Sequence, residues 1–340
     1  MKTTIKDIAK VLDLSIATVS RALTGSTEIS EKTKQKVLKK ARELHYKPNI
    51  HARNLLKKKN NMIGVVVPEF VTFFFPEIII GIQEVMNKAG YQVLICQSNE
   101  SSQQERKNVE MLENSMIEGL IISVTKESHN IDLYQRLLDE QLPIVFINRV
   151  LPDLKGVSQV IIDDHKWAYA AVEHLIKCGY TCIAHLAGNE HLQVTQRRLQ
   201  GYLDAHRDYN IPVKENLIMY VGIQQDRAQV GVKYLLSLKE KIDAIFAVND
   251  PVAIGSILEL KRRGLRVPED VAVVGFSESP IGRIMELTSV SQPTLQMGHA
   301  AAELLIKKIS NYNTPSEIRI LEAELNIRTT SIPVSKRSKK

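Results

Sequence analysis

From residue 62 to about residue 330, short apolar runs alternate with longer amphipathic stretches, and that alternation leaves the chain few folds to choose from. Runs rich in Val, Ile, Leu and Ala occupy 63–67, 92–96, 120–123 and 144–147; a second series follows at 183–187, 217–221, 244–248 and 271–275. Neighbouring residues of a strand point to opposite faces, so a run that is apolar throughout must be buried on both. The helical stretches between the runs supply the cover, which predicts parallel sheets with helices on each side. Two series predict two similar lobes. Open parallel sheets bind ligands beyond the carboxyl ends of their strands, and two lobes facing each other place that site in a cleft. The positions to inspect are therefore residues 70–75, Ser98-Asn99, Asn148-Arg149, Asp163-Asp164, Asn189, Asn249-Asp250 and Ser277-Glu278. Aromatic, amide, guanidinium and carboxylate groups in that mixture suit a polar, hydroxyl-rich ligand such as a sugar or nucleoside.

The first sixty residues follow another grammar. They hold 15 of the chain's 45 Lys and Arg against 5 acids, leaving 30 bases against 33 acids in the rest. The whole positive excess thus sits in the first sixth, and a polyanionic partner for that segment is the simplest account. Three short helices are predicted there. Ile5, Ile8, Ala9 and Leu12 fall at helical spacing behind a Thr4–Asp7 capping box. Ser15 caps a second helix, 16–23, after a tight Asp13-Leu14 turn. Ser30 caps a third, with Val37, Leu38, Ala41 and Leu44 as its inner stripe. Two short helices joined by a tight turn and braced by a third form a helix-turn-helix. A recognition helix reads base edges with its first residues, here Ile16 and Ala17 with Thr18 and Ser20 beside them, and Arg21 one turn on can reach guanine O6 and N7. The hydroxyls of Thr4, Ser15 and Thr18 suit phosphate oxygens.

Three segments, Ile5-Lys6-Asp7-Ile8-Ala9, Ser15-Ile16-Ala17-Thr18-Val19-Ser20-Arg21-Ala22-Leu23 and Tyr46-Lys47-Pro48-Asn49, resemble the N-terminus of the LacI/GalR family. Asp13 stands where that family usually has Gly in the turn, and Asp tolerates the left-handed conformation. The resemblance implies that Asn49, His51, Ala52, Arg53 and Leu55 belong to a hinge helix that folds on operator DNA, with Leu55 as its minor-groove wedge. It continues through Ile63-Gly64-Val65-Val66-Val67-Pro68, Gly81-Ile82, Glu173-His174-Leu175-Ile176, Arg198-Leu199-Gln200-Gly201-Tyr202, Asn249-Asp250-Pro251-Val252-Ala253-Ile254-Gly255 and Val271-Ala272-Val273-Val274-Gly275-Phe276. The implied fold is an all-α helix-turn-helix headpiece followed by a two-lobed, periplasmic-binding-protein-like α/β domain with parallel sheets.

By the same resemblance Phe74 and Phe75 are pocket aromatics, Arg198 is a ligand-clamping arginine, and Asn249, Asp250 and Asp163 are polar contacts, with Asn148 and Arg149 beside them. Ser277 stands where the family commonly has an Asp that grips ligand hydroxyls, which weakens any transfer of simple sugar binding. The segment Leu287-Thr288-Ser289-Val290-Ser291-Gln292-Pro293 looks like the last crossover between lobes, with a helix at 298–309 returning to the first lobe and a strand at 322–328 in the second. The expected domains are 1–48 for the DNA reader and 49–60 for the hinge. Residues 61–332 form the effector-binding and dimerisation domain (lobe one about 61–160 and 293–320, lobe two about 161–292 and 321–332), and 333–340 a basic tail.

Other classes fit less well. No apolar run approaches the roughly 18 residues of a membrane helix, and the first residues contain no signal-like apolar segment, so a cytoplasmic protein is expected. A binding protein serving a transporter would fit residues 61–330 but not the basic reader attached to them. Cys96, Cys178 and Cys182 lack a paired framework and read as reduced thiols. The histidines are scattered, no G-x-S-x-G or H-E-x-x-H occurs, and Asp163-Asp164 reads as a pocket rim rather than an acid–base pair. The expectation is a homodimeric regulator of near-palindromic operator DNA, controlled by a small polar effector, with no catalysis, metal or cofactor.

Overall fold

The computed structural model describes residues 3–24, 26–46 and 60–333, which divide into two compact units at residues 60 and 61. In the first unit, α1 (Ile5–Leu12), α2 (Ile16–Leu23) and α3 (Glu31–Glu43) close around Ile8, Ala9, Val19, Ala22, Val37 and Ala41. Their ends are set by local chemistry. The Thr4 amide and hydroxyl both donate to the Asp7 carboxylate (2.8 and 2.7 Å), Ser15 Oγ accepts from the Thr18 amide, and Ser30 Oγ from that of Thr33. Asp13 ends α1 in the left-handed region (φ 53°), as the turn requires. Leu38 corrects the expected inner stripe: it is 38 % exposed, because the buried face of α3 runs through Val37 and Ala41, a helical step of about 100° away.

The second unit is built on two six-stranded sheets. The first comprises β1 (Met62–Val67), β2 (Gln92–Gln97), β3 (Gly119–Ile122), β4 (Ile144–Ile147), β5 (Ser158–Ile162) and β11 (Ile318–Leu321), all parallel, in the order β11-β5-β4-β3-β1-β2. The second comprises β6 (Ile183–Ala187), β7 (Ile218–Tyr220), β8 (Ala244–Ala247), β9 (Ala272–Phe276), β10 (Thr288–Ser291) and β12 (Glu324–Asn326), in the order β12-β10-β9-β8-β6-β7. Only β12 runs antiparallel to its neighbour. Helices α4 (Phe74–Lys88), α5 (Ser102–Asn114), α6 (Ile131–Asp139), α7 (Asp164–Cys178), α8 (Gln193–Asp208), α9 (Gln225–Leu235), α10 (Asp250–Arg262), α11 (Pro280–Ile284) and α12 (Thr294–Ser310) connect them.

Hydrophobic clusters fill both faces of each sheet, as the uninterrupted apolar runs demand. Two helix pairs approach at glycines. A methyl on Gly298 of α12 would lie 2.1 Å from the Ile78 carbonyl oxygen of α4, and one on Gly201 of α8 would lie 2.4 Å from that of His165 on α7. The chain passes between the sheets after β5, after β10 and again between β11 and β12. This corrects the reading of 287–293 as the last crossover. That segment contains β10 and leads to the second passage; β11 then joins the first sheet before the final return.

Candidate functional site

The reading surface of the first unit is the N-terminal half of α2. Val19 and Ala22 face the core, which turns Ile16 (47 % exposed), Ala17 and Arg21 outward, with Thr18 and Ser20 half-buried at the margin. The hydroxyls of Ser15 and Thr18 lie 2.8 Å apart over the first turn. Arg21 Nη1 meets Glu28 at 3.1 Å, both side chains being more than half exposed. An exposed pair of this kind contributes little stability and yields readily to a better acceptor. Asn49, His51, Ala52, Arg53 and Leu55 lie outside the described residues, as does the expected tail from residue 334.

In the second unit, the residues at the carboxyl ends of the strands fall into two groups. Several are committed to holding the lobes' own loops. Asp163 caps α7 and accepts from the Lys166 amide and Arg197 Nη2. Asn249 caps α10, accepting from the Val252 amide and donating to the Ile223 carbonyl. The Asp250 carboxylate lies beneath the loop after β9, where it accepts from the Ser279 amide at 2.7 Å and from Ser289 Oγ. Burial pushes its carboxyl up to about 6 against those two bonds. Phe75 is 2 % exposed and packs in the core, with Phe74 edge-on to it at 5.1 Å and half-buried.

Arg198 forms the densest junction. Its Nε and Nη2 donate to Asp164 Oδ1, each at 2.7 Å, and Nη1 donates to the Val248 carbonyl at 2.6 Å. Its guanidinium also stacks 3.7 Å above the Phe276 ring. Asp164 is buried, and that burial raises its carboxyl pKa despite Arg198. Ser277, in the left-handed region (φ 62°), accepts from Gln292 Nε2, while Gln292 Oε1 has no partner among the described residues.

A second group surrounds a cavity of about 510 Å³ between the lobes, walled by residues 124–129 and 149–152 of the first and by residues 191–194 and Gln196 of the second. Of the nine expected effector residues only Arg149 lines it. Its guanidinium meets the Glu100 carboxylate at 2.8 Å, and Asn148 beside it adopts the left-handed conformation. The loop after β3 is held from behind by Glu105. This fully buried carboxylate accepts from the Thr125 amide (2.7 Å), Asn130 Nδ2 (2.8 Å), the Tyr134 hydroxyl (2.8 Å) and Ser128 Oγ. The sequence signal for this loop is its place directly after the apolar run 120–123, a position not among the expected site residues. Glu100 and Glu105 carry no comparable sequence signal, since their partners are 49 and up to 29 residues away. No grouping of three His, Cys, Asp or Glu with metal-binding geometry occurs among the described residues. The site offers hydrogen-bond donors, hydroxyls and cations in a partly apolar cleft, a constitution for binding polar molecules.

Comparison with known proteins accounts for both units. Residues 4–49 match the model of bacterial regulatory proteins, lacI family, and residues 60–333 match that of periplasmic binding proteins and sugar binding domain of LacI family. The HTH-type transcriptional regulator RegA of Clostridium acetobutylicum is 37 % identical over 91 % of this chain and 93 % of its own length. The HTH-type transcriptional repressor CytR of Escherichia coli K12 is 32 % identical over 97 % of each. Among solved structures, the transcriptional regulator CelR in complex with cellobiose superimposes with a TM-score of 0.75 at 28 % identity, covering 97 % of this chain and all of that one.

Proposed function

The chain belongs to the LacI family of bacterial regulatory proteins, and from that premise we propose that it is a homodimeric repressor whose operator affinity is set by a small polar ligand held between the lobes of its second unit. The observation that carries this reading is the outward face of α2: Ile16, Ala17 and Arg21 stand exposed on a helix whose other face is locked into a three-helix core. An isoleucine exposed at the head of a helix gains a partner in a thymine methyl, and an arginine one turn later gains one in guanine. Two such readers in one dimer require a near-palindromic site, because the protein's twofold symmetry is copied into the DNA.

Thr4, Ser15 and Thr18 take phosphate contacts in this scheme. Asn49, His51, Ala52 and Arg53 follow the backbone into the minor groove, where Leu55 wedges a base step. Repression as the direction of control is supported by the name of CytR, and a carbohydrate-like ligand by the cellobiose in CelR. Phe74, Asn148, Arg149, Asp163, Arg198, Asn249, Asp250 and Ser277 frame the ligand cleft, some by contact and others by holding its loops. Ligand that binds one arrangement of the lobes better than another shifts the population competent for DNA.

Footprinting of the protein over its own genome, followed by titration of a recovered operator at increasing salt, tests the proposal. Protection of near-palindromic sites is expected, with log affinity falling linearly against log salt at a slope set by the phosphates contacted. Affinity for duplex DNA that is indifferent to salt, or footprints without dyad symmetry, would overturn it.

A further inference from the structure

We propose that Glu28 is a specificity-determining residue of the DNA-reading surface: its carboxylate positions the Arg21 guanidinium for guanine and withholds its charge from phosphates. This deepens the reading of α2 as the recognition helix and rests on it. The contact, Arg21 Nη1 to Glu28 at 3.1 Å, joins a residue of the helix to one in the loop that follows it. That loop is fastened to α2. The Thr24 amide and hydroxyl donate to the Ser20 carbonyl, the Ser26 amide donates to that of Arg21 at 3.0 Å, and Ser26 Oγ accepts from the Glu28 amide. Ile29, the next residue, packs on the three-helix core. Glu28 is therefore carried to Arg21 by an anchored backbone, and the pair is more than a meeting of two long side chains.

The other acids of this unit are placed differently. Of the five in the first sixty residues, Asp7 completes the cap of α1, Asp13 ends that helix, and Glu31 and Glu43 each pair with a lysine three residues away on α3. Among the described residues Glu28 alone meets a base on the reading helix. An anion on a surface that faces phosphates weakens binding to every duplex, so its presence there favours choice over affinity. Arg21 can satisfy the carboxylate and a base together. A guanidinium presents several N–H donors in a planar fork; Nη1 takes Glu28, which leaves the edge formed by Nε and Nη2 for guanine O6 and N7. On a site that lacks this guanine the guanidinium keeps to Glu28, and a phosphate contact that would strengthen binding to any sequence is not made.

The test uses the full-length protein with an operator recovered by footprinting, a set of operators substituted at single base pairs, and an unrelated duplex. Parent, Glu28→Gln, Arg21→Ala and the double variant are compared by competition binding over a range of salt. Glu31→Gln serves as a control, since it removes the same charge from an acid paired within α3. Both glutamates are exposed, so neither change disturbs the three-helix core. Glu28→Gln should bind the unrelated duplex about fivefold more tightly, with a salt slope steeper by about 0.9 for the one phosphate that Arg21 gains. Its preference for guanine at the pair that Arg21 reads should fall by about fivefold, and Glu31→Gln should keep the parental preference. Without Arg21, Glu28→Gln should leave the choice among operators unchanged, because nothing remains to be positioned. Equal preference in the parent and Glu28→Gln, or a loss shared by Glu31→Gln, would overturn the proposal. A loss that persists in the Arg21→Ala background would overturn it as well, by making Glu28 a base reader in its own right. The recognition-helix reading fails separately, if Arg21→Ala leaves the choice among operators intact, and the proposal then falls with it.

Discussion

Replacing Arg198 by Met removes the only cation bonded to the Asp164 carboxylate among the described residues, and the cost can be worked from the geometry. Both side chains are within a few per cent of full burial, so water cannot take over the lost bonds. Breaking a buried pair from one side costs about 3–5 kcal/mol, because the surviving charge is left without compensation. The Val248 carbonyl also loses its Nη1 donor, adding about 1 kcal/mol or more. The penalty has a pH signature. Burial already raises Asp164, and without Arg198 its carboxyl rises further. For an acid whose folded pKa lies above its unfolded value, the destabilisation is complete above the folded pKa and fades as pH falls through it. The deficit of Arg198→Met relative to the parent should therefore shrink on mild acidification. Adding Asp164→Asn should recover at least half of it, a coupling of about 2 kcal/mol or more.

Urea unfolding followed by the fluorescence of Trp167 suits the purpose. This is the chain's single tryptophan, and it lies on α7 three residues from Asp164. It therefore reports the unit that contains the pair rather than an average over a chain of several cooperative parts. A single variant within about 0.5 kcal/mol of the parent would show that the pair is not a structural junction. A double variant no better than the single, or a deficit that grows in acid, would refute the account of a stranded carboxylate.

Arg21→Ala should cost about 1–3 kcal/mol of discrimination among operators substituted at one base pair, measured by competition binding; unchanged discrimination removes Arg21 from the readers. Leu55→Ala should lessen DNA bending and specific affinity while nonspecific affinity stays, and equal bend angles by circular-permutation gel shift would exclude a wedge. Asp250 is pushed from 3.8 to about 6, so it costs stability as pH rises through that window, roughly 3 kcal/mol once complete; the difference in unfolding free energy between the parent and Asp250→Asn should follow that slope, and a difference flat across the window would contradict it. Gly298→Ala would set a methyl 2.1 Å from the Ile78 carbonyl, and overpacking of about 1–3 kcal/mol should outweigh the roughly 1 kcal/mol that Ala gains over Gly in a helix; an unchanged or raised melting temperature would show that α4 and α12 separate freely.

What could be read in the sequence is what is determined locally. Caps at Thr4, Ser15 and Ser30 bond within three residues, and β1, β3, β4 and β9 announce themselves because both faces are buried. Strands β5, β10 and β11 were missed for matching reasons. Ser158-Gln159-Val160-Ile161-Ile162 and Thr288-Ser289-Val290-Ser291 carry polar residues whose partners lie far along the chain. In β11, at the edge of its sheet, Ile318 and Ile320 are exposed and break the buried pattern. Strand identity there depends on neighbours some 160 residues away, the separation between Ile318 and Gln159.

The site was legible as a place and not as a set of roles. Position after a strand brings Asp163, Asn249 and Asp250 to the cleft end of the sheets, yet each turns back into its own loop because an amide or hydroxyl there completes it. The same holds for the strong charges: Arg198 belongs to Asp164, and Arg149 to Glu100. A ligand that engages those groups must displace or share a bond already made, and the exchange leaves little net gain. The conspicuous groups at the strand ends are therefore spent first on their own loops, and a sequence, which shows position but not partners, does not separate the two roles.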